Sequence, residues 1–178
     1  MNASAYPAQL VRQHRLADGR NVTIRPIRAD DADRVRDFLT TASEDSRYKR
    51  FQKWVDAPST NLIHFLTDID YDRHLALVCT YPHDADEHIV GEARYAATGD
   101  GKTCDFGVLI DDAWQKSGIA GLLMAALLHA ARDHGFEGME GIVLANNAAM
   151  LRFAHALAFD IAPIEGDLAT VRLYKRLR

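Results

Sequence analysis

The chain has 178 residues, 48% of them apolar and 26% charged, which suits one domain able to bury roughly 70% of its unfolded surface without a metal or disulfide. Its 21 basic and 25 acidic residues leave a net charge of −4, which argues against nucleic acid, a partner that calls for a concentrated basic surface. No apolar run approaches the ~18 residues of a membrane span and the first residues lack a charged-then-apolar leader, so a cytoplasmic protein with no membrane partner is expected.

Residues 1–9 read as an N-terminal arm and 10–178 as a single domain. Strand-like runs at 9–16 and 21–27 flank Asp18-Gly19, a tight hairpin signal. Asp30 can cap a helix over 31–41, with Asp31 and Asp33 at the positive end of its dipole. Ser43 opens a second short helix through Phe51, and Ser59 or Thr60 a third around Leu62, Ile63 and Leu66. Residues 74–81 form an apolar strand, 82–87 a polar turn and 89–97 another strand. Gly99-Asp100-Gly101 turns the chain back into 103–110. A turn centred on Asp100-Gly101 pairs Ala96 with Asp105 and Glu92 with Leu109, so both acids share a face.

The pattern then changes. Residues 118–134 read as a long helix, apolar on nearly all sides and therefore buried between layers, with Gly135 as its stop. A strand at 139–144, a helix opened by Asn147 and two strands within 160–176 follow. An antiparallel meander followed by this alternation implies an α/β (α+β) fold: a mixed central sheet of about seven strands with helices on both faces. Cys79 and Cys104 lie in apolar strands without metal-ligand spacing and read as buried free thiols. His83, Asp84, Asp86, Glu87 and His88 have no organised spacing, so a solvated loop is expected and no metal.

The informative segment is Gln115-Lys116-Ser117-Gly118-Ile119-Ala120-Gly121. It follows a strand and opens the long helix. Such a turn gathers backbone N–H groups at the positive end of a helix dipole, where small residues let a pyrophosphate approach and Lys116 and Ser117 can add side-chain donors. GxxxxGK[ST] is absent, and the dinucleotide pattern GxGxxG fails because its third glycine would fall at Leu123. What remains, Gln-x-x-Gly-x-Ala, resembles the acyl-CoA pyrophosphate loop of the GNAT superfamily of N-acetyltransferases. Asn147, followed by Leu157-Ala158-Phe159, resembles that family's second cofactor segment. Over residues 14–177 the chain is most similar to the catalytic domain of bacterial GNAT protein-lysine acetyltransferases. The likeness includes Val22–Arg28, Ser46–Phe51, Asp70–Arg73 and Val90–Tyr95.

The resemblance implies a GNAT fold and acetyl-CoA as cosubstrate. Leu109 and Ile110 would flank the thioester, with a backbone N–H as oxyanion donor. Gln115 to Gly121 and Asn147 would hold the cofactor. The family's basic glutamate, set in Ala-Glu-Phe, corresponds here to Asp105 in Cys104-Asp105-Phe106, one methylene shorter, so a bridging water would carry the proton. Glu92 is the competing base, with a salt bridge as its alternative role. The family's acid tyrosine falls at Ala154, which can give no proton. Ala158 stands where a glycine is usual. The expected function is acetyl transfer to a primary amine, a protein lysine or a small amine, by direct attack in a ternary complex. An acyl-CoA-binding regulatory module with little turnover is the alternative, and a homodimer is left open.

Overall fold

The computed structural model describes residues 5–53, 57–84 and 86–178. The strands are β1 (Arg12–Arg15), β2 (Asn21–Pro26), β3 (His74–His83), β4 (Asp86–Ala97), β5 (Thr103–Ile110), β6 (Gly138–Leu144), β7 (Asp160–Ile164) and β8 (Asp167–Arg176). The helices are α1 (Ala32–Thr41), α2 (Glu44–Phe51), α3 (Thr60–Thr67), α4 (Ile119–His134) and α5 (Ala148–Ala156). The eight strands among the described residues, against about seven expected, join one mixed sheet in the order β1-β2-β3-β4-β5-β6-β8-β7. The N-terminal arm is described from Ala5, and the expected first strand begins later than residue 9 because Ala8–Leu10 form a short 3-10 turn.

Turn chemistry sets the register that matters for function. After β4, Thr98 N–H donates to Thr103 O at 2.9 Å, and the Asp100 carboxylate accepts from the amides of Lys102 and Thr103. The loop between the bonded pair is four residues long, 99–102, longer than the tight turn expected. It extends symmetrically, so Ala96 still faces Asp105 and Glu92 faces Leu109.

Three expectations need correction. The polar stretch 82–87 is not a separate loop: β3 runs to His83 and β4 begins at Asp86, with Ala85 outside the described residues. Ion pairs hold this polar ribbon in the sheet, Arg34 to Asp86 and Arg25 to Glu87, both at 2.6 Å. Arg25 in turn forks onto the fully buried Asp31 at 2.7 Å. That carboxylate also accepts from Arg28 N, so Asp31 and not Asp30 orders the entry to α1. Nor is α4 enclosed on all sides. Ile119, Leu123, Met124, Leu127 and Leu128 bury one face, while Ala125, His129 and Arg132 face solvent. Ala125 on the outer face and the half-buried Ala120, Leu122 and Ala126 made the helix look apolar all round.

α4 and α5 cover one face of the sheet, over a core that includes Cys79, Cys104, Phe136 and Phe159. α1 and α3 cover the other, against Val78, Ile89 and Leu109. Ser43, Ser59 and Asn147 cap α2, α3 and α5, each accepting from the amide three residues on. Among the described residues no helix is long and apolar enough to cross a membrane.

α5 ends in a Schellman-type turn, Phe159 N–H donating to Ala154 O at 3.0 Å, with Ala158 in the left-handed region at φ 56°. That conformation costs a non-glycine residue about 1–2 kcal/mol, whereas glycine adds about 0.4–1 kcal/mol of unfolded-state entropy. Ala158→Gly therefore stabilises the fold by about 0.5–1 kcal/mol, read as a rise of about 1–3 °C in the thermal unfolding midpoint.

Candidate active site

The site begins with a gap in the sheet. β5 and β6 pair in parallel over only three rungs, Thr103–Asp105 with Gly138–Glu140. Beyond them β6 keeps its partner β8 as far as Leu144 and leaves β5. In the β4–β5 ladder, Asp111 N–H donates to Val90 O at 3.0 Å. The alternation of an antiparallel pair then turns the amides of Asp105, Gly107 and Leu109 toward β4. Those of Val108 and Ile110 point the other way, into the gap. The gap opens as a cleft of about 290 Å³ between β5, the departing β6 and the start of α5. Two glycines keep it passable. A methyl group at Gly141 would lie 2.9 Å from the Phe106 ring, and one at Gly107 would lie 2.4 Å from the Arg50 guanidinium carbon.

At one end of the cleft the chain enters α4. A 3-10 turn, Asp112–Trp114, is followed by Lys116 at φ 63° and Gly118 at φ 93°. Gly118 O accepts from Leu122 N. The amides of Lys116, Gly118, Ile119, Ala120 and Gly121 make no hydrogen bond among the described residues. Such a group of free donors at the positive end of a 16-residue helix is suited to an anion. Side chains contribute less than expected. Ser117 donates its hydroxyl proton back to Trp114 O, and Gln115 donates to Asp112 at 3.0 Å. Lys116 is exposed, with no ion-pair partner among the described residues.

α2 spans the mouth of the gap. At its N-terminal end, Ser43 and Ser46 donate to Asp112, beside the α4 turn. At its C-terminal end, Gln52 donates to Ile142 O of β6 at 2.6 Å. On the far side of the gap lies a second, wider cavity of about 740 Å³, lined by Asp105, Glu140, Arg172 and the end of β4. The two cavities share Arg50, Phe106, Gly141 and Ile142.

The two candidate acids are not equivalent. Glu92 is only 4% exposed and accepts from Arg94 Nε, while Arg94 also reaches His74 and Leu66 O. Burial alone would raise its carboxyl, but Arg94 and then Arg50 outweigh burial and hold it below the ordinary carboxylate value. His74 is pushed down to about 4 by burial and by Arg94, so it stays neutral. Asp105 lines the second cavity and is exposed there. Loss of water on its sheet side raises its carboxyl, Glu140 adds to the rise, and Arg50 opposes it.

Residues 21–160 match the model of the acetyltransferase (GNAT) domain. The chain belongs to the GNAT acetyltransferases. It is 38% identical over 144 residues to acetyltransferase PA5475 of Pseudomonas aeruginosa, across 81% of this chain and 77% of that protein. Acetyltransferase Pat of Mycolicibacterium smegmatis is 29% identical over 135 residues, which span 75% of this chain but only 40% of that protein. The crystal structure of the GNAT domain of S. lividans PAT superposes with a TM-score of 0.87 at 25% identity, covering 96% of this chain and 99% of that one. GNAT members use acetyl-CoA.

In this GNAT acetyltransferase the sequence-derived residues divide into three groups. Leu109, Ile110, Gln115, Ala120 and Asn147 line the cleft. Asn147 caps α5 through its side-chain oxygen and leaves its side-chain nitrogen Nδ2 unpartnered among the described residues. Asp105 is at the second cavity, four residues along β5 from the rung that holds Glu92, or roughly 13 Å away. Glu92 lines neither cavity, and the Leu109 amide faces β4 and not the gap. Ala154 is 1% exposed and lies in the core beneath α5. Sequence reasoning missed Val108: a two-residue turn at Asp100-Gly101 would have bonded the Val108 amide to β4 and freed that of Leu109, and the four-residue loop, with the same residues facing each other, reverses that alternation. It gave no role to Arg50, which appeared only within the resembling stretch Ser46–Phe51.

Gly118→Ala places a methyl group on a residue at φ 93° and forces the α4 turn to reorganise, at a cost of about 1–2 kcal/mol. Coenzyme A affinity, read by titration calorimetry, should fall about tenfold or more while the far-ultraviolet dichroism stays that of the folded enzyme.

Proposed function

We propose that this protein binds acetyl-CoA in the gap between β5 and β6 and transfers its acetyl group to a primary amine entering from the second cavity, by direct attack in a ternary complex. The observation that carries the reading is the meeting of the two cavities at unpaired strand amides, with a free carboxylate on the acceptor side. The residues suit a coenzyme A thioester. The free amides from Lys116 to Gly121 match its pyrophosphate, and the narrow strand gap matches an extended pantetheine arm.

Each part of the reaction then has a group assigned to it. The thioester oxygen gains negative charge as the amine adds, and the Val108 N–H, fixed in the strand, is the donor directed there. The attacking amine must be neutral, although a lysine amine has a pKa near 10.4. Asp105 takes its proton through one water, because an aspartate is a methylene too short for direct contact. The acyl carbon then loses the sulfur of coenzyme A. No side-chain acid stands at Ala154, so the thiolate leaves into the open cleft and is protonated by water. Resemblance to bacterial protein-lysine acetyltransferases, together with the overlap with the PAT domain, supports a protein lysine as acceptor. The short carboxylate and the missing acid favour a second reading, an acyl-CoA-binding module with little turnover. Equal background turnover by the wild type and Asp105→Ala would select that one.

Asp105→Asn should lower kcat/KM for amine acetylation by about 10²–10⁴, measured as thiol release from acetyl-CoA. Asp105→Glu, with the family's longer reach, should match or exceed the wild type. The base works only when deprotonated and its carboxyl is raised. The acid limb of the kcat/KM profile therefore rises with pH through a value above the ordinary aspartate pKa. This limb should vanish in Asp105→Asn and leave only the rise caused by deprotonation of the amine.

A further inference from the structure

Arg50 borders both cavities, and the reaction described above does not use it. Its guanidinium lies on the backbone of Gly107. A methyl group built there would meet its carbon at 2.4 Å and its terminal nitrogens at 2.6 and 2.7 Å. The charged groups facing it are Glu92 and Arg94 from β4 and Asp105 from β5. Glu92 is already held by Arg94, and Asp105 is directed into the acceptor cavity. Among the described residues none accepts a hydrogen bond from Arg50, so its planar set of N–H donors is unmatched. The helix that carries it is nonetheless fixed. Arg47, three residues earlier on the same helix, donates to Leu39 O and Ala42 O. The two ends of α2 are tied to Asp112 and Ile142. A guanidinium carried on an anchored helix, lying on a strand with its donors free, is matched in shape and charge by a carboxylate.

We propose that Arg50 is a carboxylate-recognition residue, whose fork takes a substrate carboxylate at the junction of the cofactor cleft and the acceptor cavity. The inference rests on the assignment of the two cavities to acyl donor and amine. The carboxylate has two possible carriers, the far end of a dicarboxylic acyl group on the thioester or the amine acceptor itself. On the acceptor, the spacing is set by β5. Gly107 lies two residues from Asp105, about 6.6 Å along a strand, which suits an amine and a carboxylate separated by three or four carbons.

Titration calorimetry on the full chain tests this, with one arm for each carrier. The donor arm compares succinyl-CoA with acetyl-CoA. The acceptor arm compares 4-aminobutanoate with 4-aminobutanamide on protein saturated with coenzyme A. The expected result is a preference of about tenfold or more for the carboxylate-bearing ligand in one arm. That preference should collapse to within about twofold in Arg50→Gln and survive in part in Arg50→Lys. The arm that responds identifies the carrier. No preference in either arm of the wild type, or one that persists in Arg50→Gln, overturns the proposal. Acetyl-CoA that binds without any such preference removes only the role of Arg50. Failure of the wild type to bind acetyl-CoA removes the cavity assignment and this inference together. The wild-type comparison decides even where a variant unfolds, and thermal midpoints identify such a variant.

Discussion

A parallel strand pair that stops after three rungs is the constraint on which the rest of the protein depends. Backbone N–H and C=O groups left inside a protein must find partners. β6 solves this on one side by following β8 for seven rungs, and it abandons β5 on the other. β5 is held in place by β4 along its whole length, so it cannot follow. The result is a rigid strand with one edge paired and the other open over Val108 and Ile110. An open edge at the rim of a sheet would be solvated or would invite aggregation. Set between two strands and roofed by helices, it becomes a directional set of donors that a bound chain can complete.

The elements around the gap serve that edge. The crossover through α4 that makes β5 and β6 parallel also brings the helix N-terminus to the end of β5. The same topological step therefore opens the gap and places free amides beside it. α2 then ties the two separated strands together across the mouth, by Asp112 on one side and Ile142 on the other. Gly107 and Gly141 are required by close approach: the first lies under a guanidinium, the second under a phenyl ring.

Electrostatics separates the roles of two acids that strand alternation makes equivalent. Glu92 and Asp105 face the same side of the same strand pair, but Arg94 follows Glu92 by two residues and so emerges beside it, on the same face. One carboxylate is locked as a buried ion pair, and the other is left without a bonded cation at the open end of the sheet. Arg50 lies within electrostatic range of both and is hydrogen-bonded to neither. Its attraction is what keeps the Asp105 carboxyl from rising further.

Much of this was legible beforehand, because it depends on local chemistry. Gly118 and Gly135 marked the ends of α4, Ser43, the pair Ser59-Thr60 and Asn147 marked the starts of other helices, and Asp100-Gly101 fixed which residues of β4 and β5 face each other. Gln115 to Gly121 announced a turn with free amides at the start of α4, and Ala158 a residue in glycine's place. Side-chain commitments were not legible. Whether Ser117 and Gln115 face a ligand or bond back into the protein depends on Trp114 O and Asp112, and on α2, which meets Asp112 from almost 70 residues away in sequence. The sequence by itself determined the elements, their order and the turn that opens α4, since those follow from spacing and backbone geometry within a few residues. Only the tertiary structure decided which strand edge stays open, which acid stays free and where Arg50 comes to rest, because each is settled by partners that the fold brings together from distant parts of the chain.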